Sequence, residues 1–314
     1  MVNREAFSLL KGIGSSRGSI SLTMLIMCFF LAFLAQLALH VSNKEFEYSL
    51  KHFQNRQLRT LCYSAMSAAS PRDFAAGNGS LTEAKLEPGG EKIRLSYTSR
   101  YSDDSLLQYF ELEAAALNDK NAVQRLRVCN LILPEKLVNL ASHYPLIYGS
   151  RLEGKEYLTG TEIYTSSEED MVPQIGFLKG IGINPVNDEE MSRQGLNKRF
   201  YFVDSDNTVQ RFLFTGGRKF YGSTVFASSG SISIGNGCVF PDRIIFISER
   251  GSIDIGSNVQ MNNAIVIAKN KVRIGEGCRI KGVIYADCIC IEGNSSFLTD
   301  ENIVAQFSSG YFIS

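Results

Sequence analysis

The chain has 314 residues, 44% of them hydrophobic, and its 32 Lys and Arg balance 32 Asp and Glu. That length accommodates one membrane anchor and one or two folded domains, and the lack of net positive charge argues against nucleic acid as a partner. The cysteines include no CxxC pair, which excludes a zinc ribbon and a thioredoxin-type motif.

Residues 20–69 carry the pattern of one long helix. No charged residue occurs over residues 20–39, and about 20 apolar residues span the hydrocarbon core of a bilayer. An amphipathic pattern without Gly or Pro continues over residues 41–69, and Pro71 ends it. We therefore predict a basic cytoplasmic leader over residues 1–19, then a transmembrane plus amphipathic helix over residues 20–69, with the lipid bilayer as a partner.

The start of this helix resembles the N-terminus of type IV pilins and type II secretion pseudopilins, because a short basic leader and Arg17-Gly18-Ser19 precede it. In that family a membrane peptidase cuts after the glycine and the helices pack into a filament core. The resemblance implies cleavage between Gly18 and Ser19, and other pilin-like subunits as partners through the helix. Most members carry Glu at the fifth mature position, where this chain has Thr23, as in some minor subunits that also lack the Glu. A simple signal anchor with a helical stalk is the alternative.

The middle of the chain reads as β-rich. Residues 70–92 are rich in Gly, Ser and Pro, which predicts a linker. Alternating apolar positions over residues 93–133 predict a β-hairpin or meander, and Pro134 precedes a predicted short helix. We assign residues 93–215 to this β-rich middle region.

The C-terminal third contains repeats. Short apolar runs closed by a small residue begin at Val225, Ile245, Ile265 and Val283, and two further sets of apolar positions recur between them. Three apolar stretches per coil of about 20 residues predict a three-sided β-solenoid, which we place at residues 216–314. Its predicted core consists of Ile232, Ile234, Ile245, Ile247, Ile253, Ile255, Ile265, Ile267, Val272, Ile274, Val283, Ile289 and Ile291.

Two further features of the repeats carry predictions. Cys288 and Cys290 should point outward on one strand, either for a redox or intermolecular bond or as thiols without a role. Aromatic and apolar residues end the chain, and we predict that they fold over the last coil as a cap that blocks end-to-end stacking. The predicted cap consists of Phe307, Tyr311, Phe312 and Ile313.

The repeats resemble bactofilins, bacterial β-helical proteins that form polymers, most closely over residues 274–286. Acyltransferases also use three-sided β-helices, but those enzymes use a His as general base. The histidines here, His40, His52 and His143, all lie outside the repeats. We therefore expect no enzymatic activity, no catalytic or metal-binding residues and no cofactor.

The sequence thus predicts an α+β, single-pass cytoplasmic-membrane protein with its N-terminus inside. The leading hypothesis is a non-enzymatic, pilin-like minor subunit that displays a β-solenoid outside the membrane. The alternative is a membrane-tethered, bactofilin-like cytoskeletal scaffold, and a cell-surface carbohydrate-binding or enzymatic β-helix is a third. No small-molecule ligand is indicated.

Overall fold

The computed structural model describes residues 16–68, 76–86, 91–116, 123–158, 160–166, 171–183, 199–204, 212–299 and 311–312. The chain divides into two compact units, Met1–Gln57 and Leu58–Ser314. Helix α1 spans Ser16–Ala68, so it accounts for the described part of the first unit and ends within the second. The predicted long apolar helix is confirmed.

A four-stranded antiparallel meander follows α1 in the second unit. Its strands are β1 (Gly77–Leu86), β2 (Glu91–Tyr101), β3 (Leu107–Ala116) and β4 (Val123–Leu131). Since side chains alternate between the two faces of a sheet, Leu95, Leu112 and Ala114 share one buried face, while Glu111 and Glu113 lie on the other. The predicted β-hairpin or meander is confirmed as a meander.

Strand β1 lies within residues 70–92, where the sequence predicted a linker, so that part of the prediction is wrong. Gly79 of β1 is opposite Tyr97 of β2, and a Cβ atom at Gly79 would overlap the Tyr97 ring. The ring stacks on Phe110, with 5.9 Å between centroids. The glycine that suggested a loop therefore leaves room for an aromatic side chain on the neighbouring strand.

Short elements follow the meander. They are α2 (Glu135–Ala141), β5 (Leu146–Glu153), a 3₁₀ turn (Lys155–Tyr157), β6 (Ile163–Thr165) and α3 (Gly176–Gly180). Helix α2 confirms the short helix predicted after Pro134.

The solenoid contains parallel strands and makes about six turns. Its strands are β7 (Arg199–Val203), β8 (Phe212–Phe214), β9 (Thr224–Ser228), β10 (Ile232–Ile234), β11 (Val239–Phe240), β12 (Ile244–Ser248), β13 (Ser252–Ile255), β14 (Gln260–Ile274), β15 (Arg279–Ile291) and β16 (Ser296–Leu298). The long strands β14 and β15 each run along all three faces. Because β7 and β8 pair in the same ladders, the solenoid begins before residue 216, the predicted start.

Each face of the solenoid is one ladder. The first face stacks β7, β9, β12, residues 264–268, residues 282–286, β5 and β6 in that order. The second face stacks β8, β10, β13, residues 271–274, residues 288–291 and the end of β5. The third face stacks β11, residues 260–261, residues 279–281 and β16.

The interior is apolar, and the second face lines it as predicted. Ile232, Ile253, Val272 and Ile289 stack in register and are fully buried. The other predicted residues of that face that belong to the interior cluster are Ile234, Ile255, Ile274 and Ile291. Their outward neighbours are exposed, as at Asp254, or half-buried, so the alternation was assigned correctly on this face.

On the first face the assignment of inward residues is wrong. The predicted core residues Ile245, Ile247, Ile265, Ile267 and Val283 are buried, but they belong to a second cluster outside the solenoid. The interior positions of this face are instead occupied by Phe226, Ile244, Phe246, Ala264, Val266, Ala268, Ile284 and Ala286. Each of these strands is a continuous apolar run, so alternation alone does not reveal which residues point inward.

The outer side of the first face is buried against α2, the meander and residues 171–183, and we call the last of these the cover segment. Ile175 and Leu178 of this segment are fully buried in the same cluster as the outward isoleucines. Glu249, just after β12, accepts hydrogen bonds from the backbone N–H groups of Ile175 and Gly176 at 2.9 and 3.0 Å. Asp104 accepts another from Gln174 at 2.7 Å. These carboxylates fix the start of α3 over the solenoid.

The last coil is covered by β5 on two of its faces. Strand β5 pairs with β15 on two faces, and β6 continues the first face beyond it. The Asp287 carboxylate holds this junction by accepting from the Ser150 N–H at 3.0 Å and the Ser150 hydroxyl at 2.9 Å. A side chain at Gly149 would collide with that carboxylate.

Two of the four residues of the predicted aromatic cap are described. Tyr311 and Phe312 form β17, which pairs antiparallel with β4, while Phe312 also pairs with Arg199 of β7. Their backbones therefore pair with the meander and with the first coil. Phe307 and Ile313 lie outside the described residues.

Candidate functional site: the apolar helix and the meander

The apolar part of α1 is exposed throughout. Every side chain over residues 24–41 is exposed, including Phe29 and Phe33. Among the residues that the structure describes, α1 is the one helix long and apolar enough to cross a membrane, a property that signal sequences near an N-terminus share. Exposed apolar area of this extent is stable in contact with lipid or with other apolar helices rather than with water.

The last turns of α1, within the second unit, pack on the meander. Leu58 and Cys62 are 0% and 1% exposed, and Leu61 and Ala65 contact the same cluster. These positions recur at i, i+3, i+4 and i+7, so they form one stripe facing the sheet. Burying one such leucine contributes about 1.5–3 kcal/mol, which anchors this end of the helix to the folded unit.

The opposite face of the meander is a ladder of charges. Glu111 lies directly opposite Arg127, and Glu113 directly opposite Arg125. The guanidinium Nε of each arginine is 2.7 Å from its carboxylate partner, and the Tyr109 hydroxyl donates to Glu111 at 2.7 Å. Cross-strand pairs of this kind fix the register between β3 and β4.

The ladder also changes the pKa values of Glu111 and Tyr109. Partial burial alone would raise the pKa of Glu111, but hydrogen bonds from Tyr109 and Arg127 outweigh burial and lower the pKa. Burial and the same hydrogen bond raise the pKa of Tyr109. The ladder therefore keeps Glu111 ionised, and it explains how this face is held together.

The other residues singled out from the sequence do not converge on one place. Gly18 and Ser19 lie near the start of α1, and their side chains are not described. His40 and His52 lie on α1, whereas the exposed His143 follows α2. Within the described ranges, no group of three or more His, Cys, Asp and Glu side chains is placed to hold a metal ion.

Three features of this arrangement were missed from the sequence: the cover segment, the stacking of β5 on the last coil, and the position of β17. The first had a signal, because continuous apolar strands are typical of sheets buried on both faces. The other two depend on pairing between residues far apart along the chain, which no local pattern reports.

No protein-family model matches the chain, no curated protein matches it, and no solved structure matches it. The pilin and bactofilin resemblances therefore rest on the residues that carry them. The structure itself defines the class: an α+β protein with a long apolar N-terminal helix, a β-rich middle and a C-terminal β-solenoid.

Proposed function

We propose that this chain is a non-enzymatic structural subunit of the pilin-like kind, anchored by α1 in the cytoplasmic membrane and displaying its β-solenoid outside. The observation that carries the proposal is the difference in burial between the two ends of α1. Residues 24–41 expose an uninterrupted apolar surface, whereas Leu58 and Cys62 are buried against the meander. One helix thus provides both a surface for lipid or other helices and an attachment to a folded domain.

The solenoid ends support display rather than polymerisation through bare coils. On the first face, β5 and β6 lie on the last coil, and β17 reaches β7 of the first coil. A second solenoid could stack directly on the last coil at that face only if β5 left it. This favours a pilin-like subunit over a cytoskeletal scaffold built by end-to-end stacking.

Topology is the deciding experiment. A reporter active only outside the cytoplasmic membrane should be active when fused after Ser314, joined by a flexible linker so that β17 keeps its place. A reporter that folds only inside should be silent at the same position. Replacing the leader cations Arg4, Lys11 and Arg17 by Gln is the matched control, because it weakens the signal for an inside N-terminus. An inside location of Ser314 in the unaltered chain would overturn the proposal and favour the scaffold.

Processing tests the pilin-like part separately. In cells with an active prepilin peptidase, N-terminal sequencing should find mature protein beginning at Ser19. Gly18→Leu should block this cleavage, whereas Gly14→Leu, a control in the same leader, should leave it unchanged. An intact leader in the unaltered protein would leave a simple membrane anchor.

A further inference from the structure

Two thiols lie side by side on the outside of the second face. Cys288 and Cys290 belong to β15 and are half-buried, while Ile289 between them is fully buried in the interior. The outward orientation predicted for both cysteines follows from this alternation. The other cysteines of the second unit are buried, namely Cys62, Cys129, Cys238 and Cys278.

Cys288 has a cationic residue on each side in the ladder. It is in register with Lys271 on β14 and with Arg151 on β5. Positive charge on either side of this position offsets negative charge that develops there.

Cys290 lies between Arg273 and Glu153 in the same ladder. Its thiol makes a hydrogen bond with the Glu153 carboxylate. That carboxylate is also 2.8 Å from Arg151 Nη2 and 3.9 Å from Lys271 Nζ. The two thiols thus share one charged surface that draws on three adjacent strands.

The spacing of the two thiols is wrong for a disulfide. One residue, Ile289, lies between them, so two steps along the strand set them about 6.6 Å apart, and their Cβ atoms point the same way. A disulfide needs Cβ atoms about 3.5–4.5 Å apart. Closing one here would bend β15 away from the ladders on both sides.

The same spacing suits a metal bridge. Two metal–sulfur bonds of about 2.3 Å allow sulfur atoms as far as about 4.6 Å apart. If each sulfur atom moves about 1 Å towards the other by side-chain rotation, the two atoms reach that separation without any movement of the backbone. Among the described residues, no third side chain forms a metal-binding group with them. The site therefore suits a metal ion that is stable with two ligands.

We propose that Cys288 and Cys290 together bind a soft monovalent metal ion, Cu(I) or its analogue Ag(I), as a two-coordinate bis-thiolate. Each thiol loses its proton to solvent and each sulfur forms one bond to the metal. The resulting centre carries one negative charge, and the adjacent Lys271, Arg151 and Glu153 together supply one positive charge to balance it. Thiolates are the ligands that select such soft ions.

Ag(I) is the probe, because it needs no reductant. The full-length protein in detergent, reduced and then freed of reductant, should bind one equivalent of Ag(I) with ultraviolet thiolate-to-metal absorption. Cys28 on α1 is also exposed, so Cys28→Ser serves as the background for every variant. In that background Cys288→Ser or Cys290→Ser should weaken binding by at least about 10–100-fold, the loss typical of altering even an outer partner of a metal site.

The double variant Cys288→Ser/Cys290→Ser should lose the absorption and keep the thermal melt of the background protein, because both side chains face outward. Equal Ag(I) binding by the double variant would place the metal on other thiols and overturn the proposal. Covalent dimers that form in air through these two cysteines, without Ag(I) binding after reduction, would also overturn it and favour an intermolecular disulfide.

Discussion

Ile247 offers the sharpest test of the first face, because it lies on the outside of the solenoid and is nevertheless fully buried. Replacing it with Ala removes buried methyl groups between β12 and the cover segment, where Ile175 and Leu178 pack. Such truncations cost about 2–5 kcal/mol when the site cannot collapse. Taking about 3 kcal/mol, the melting temperature of a domain of this size should fall by roughly 6–12 °C.

The assay is thermal unfolding of the full-length protein in detergent, followed by circular dichroism. Ile255→Ala, in the interior, should have a similar effect, while Asp254→Ser, exposed on the neighbouring position, should change little. If Ile247→Ala is as harmless as Asp254→Ser, the cover segment does not pack on the first face. If Ile255→Ala is harmless, the interior assignment itself fails.

Three further outcomes follow. Leu58→Ala should destabilise the folded unit by about 2–5 kcal/mol in thermal melts, whereas Phe46→Ala, 69% exposed on the same helix, should not; equal effects would contradict the packing of α1 on the meander. Gly282→Ala should cost about 1–3 kcal/mol or more, because its φ is +149° and a Cβ would overlap the Ala264 carbonyl oxygen, while Gly180→Ala, with open space around it, should be tolerated. Glu111→Gln should lower the melting temperature at neutral pH and flatten its fall in acid. Because the folded-state pKa of Glu111 lies below the ordinary 4.5, its stabilisation is present above that pH and is lost as the pH falls below it; an acid profile identical to the unaltered protein would contradict this account.

The candidate site was partly visible in the sequence. Charge-free residues over 20–39 predicted the exposed apolar helix, and the amphipathic pattern over residues 41–69 contains the stripe that packs at its end. The sheet that receives this stripe was predicted only in outline, because Leu95 and Leu112 show alternation but not their partner. The apolar stripe of the helix and the apolar face of the sheet each require burial. Only the tertiary structure shows that they bury each other.

The solenoid divides in the same way. Repeating apolar runs determined its three-sided architecture, and strict alternation at Ile253-Asp254-Ile255 determined which side chains face inward, because both signals are local. The tertiary structure alone decided the rest. Continuous apolar runs such as the one containing Ile247 have two equivalent orientations until a covering segment occupies one side. Likewise, β5 pairs with β15 although more than a hundred residues separate them, as Ser150 and Asp287 show with a separation of 137. Pairing at such distances depends on the backbone edges left open by the finished coils, and these edges exist only in the folded molecule.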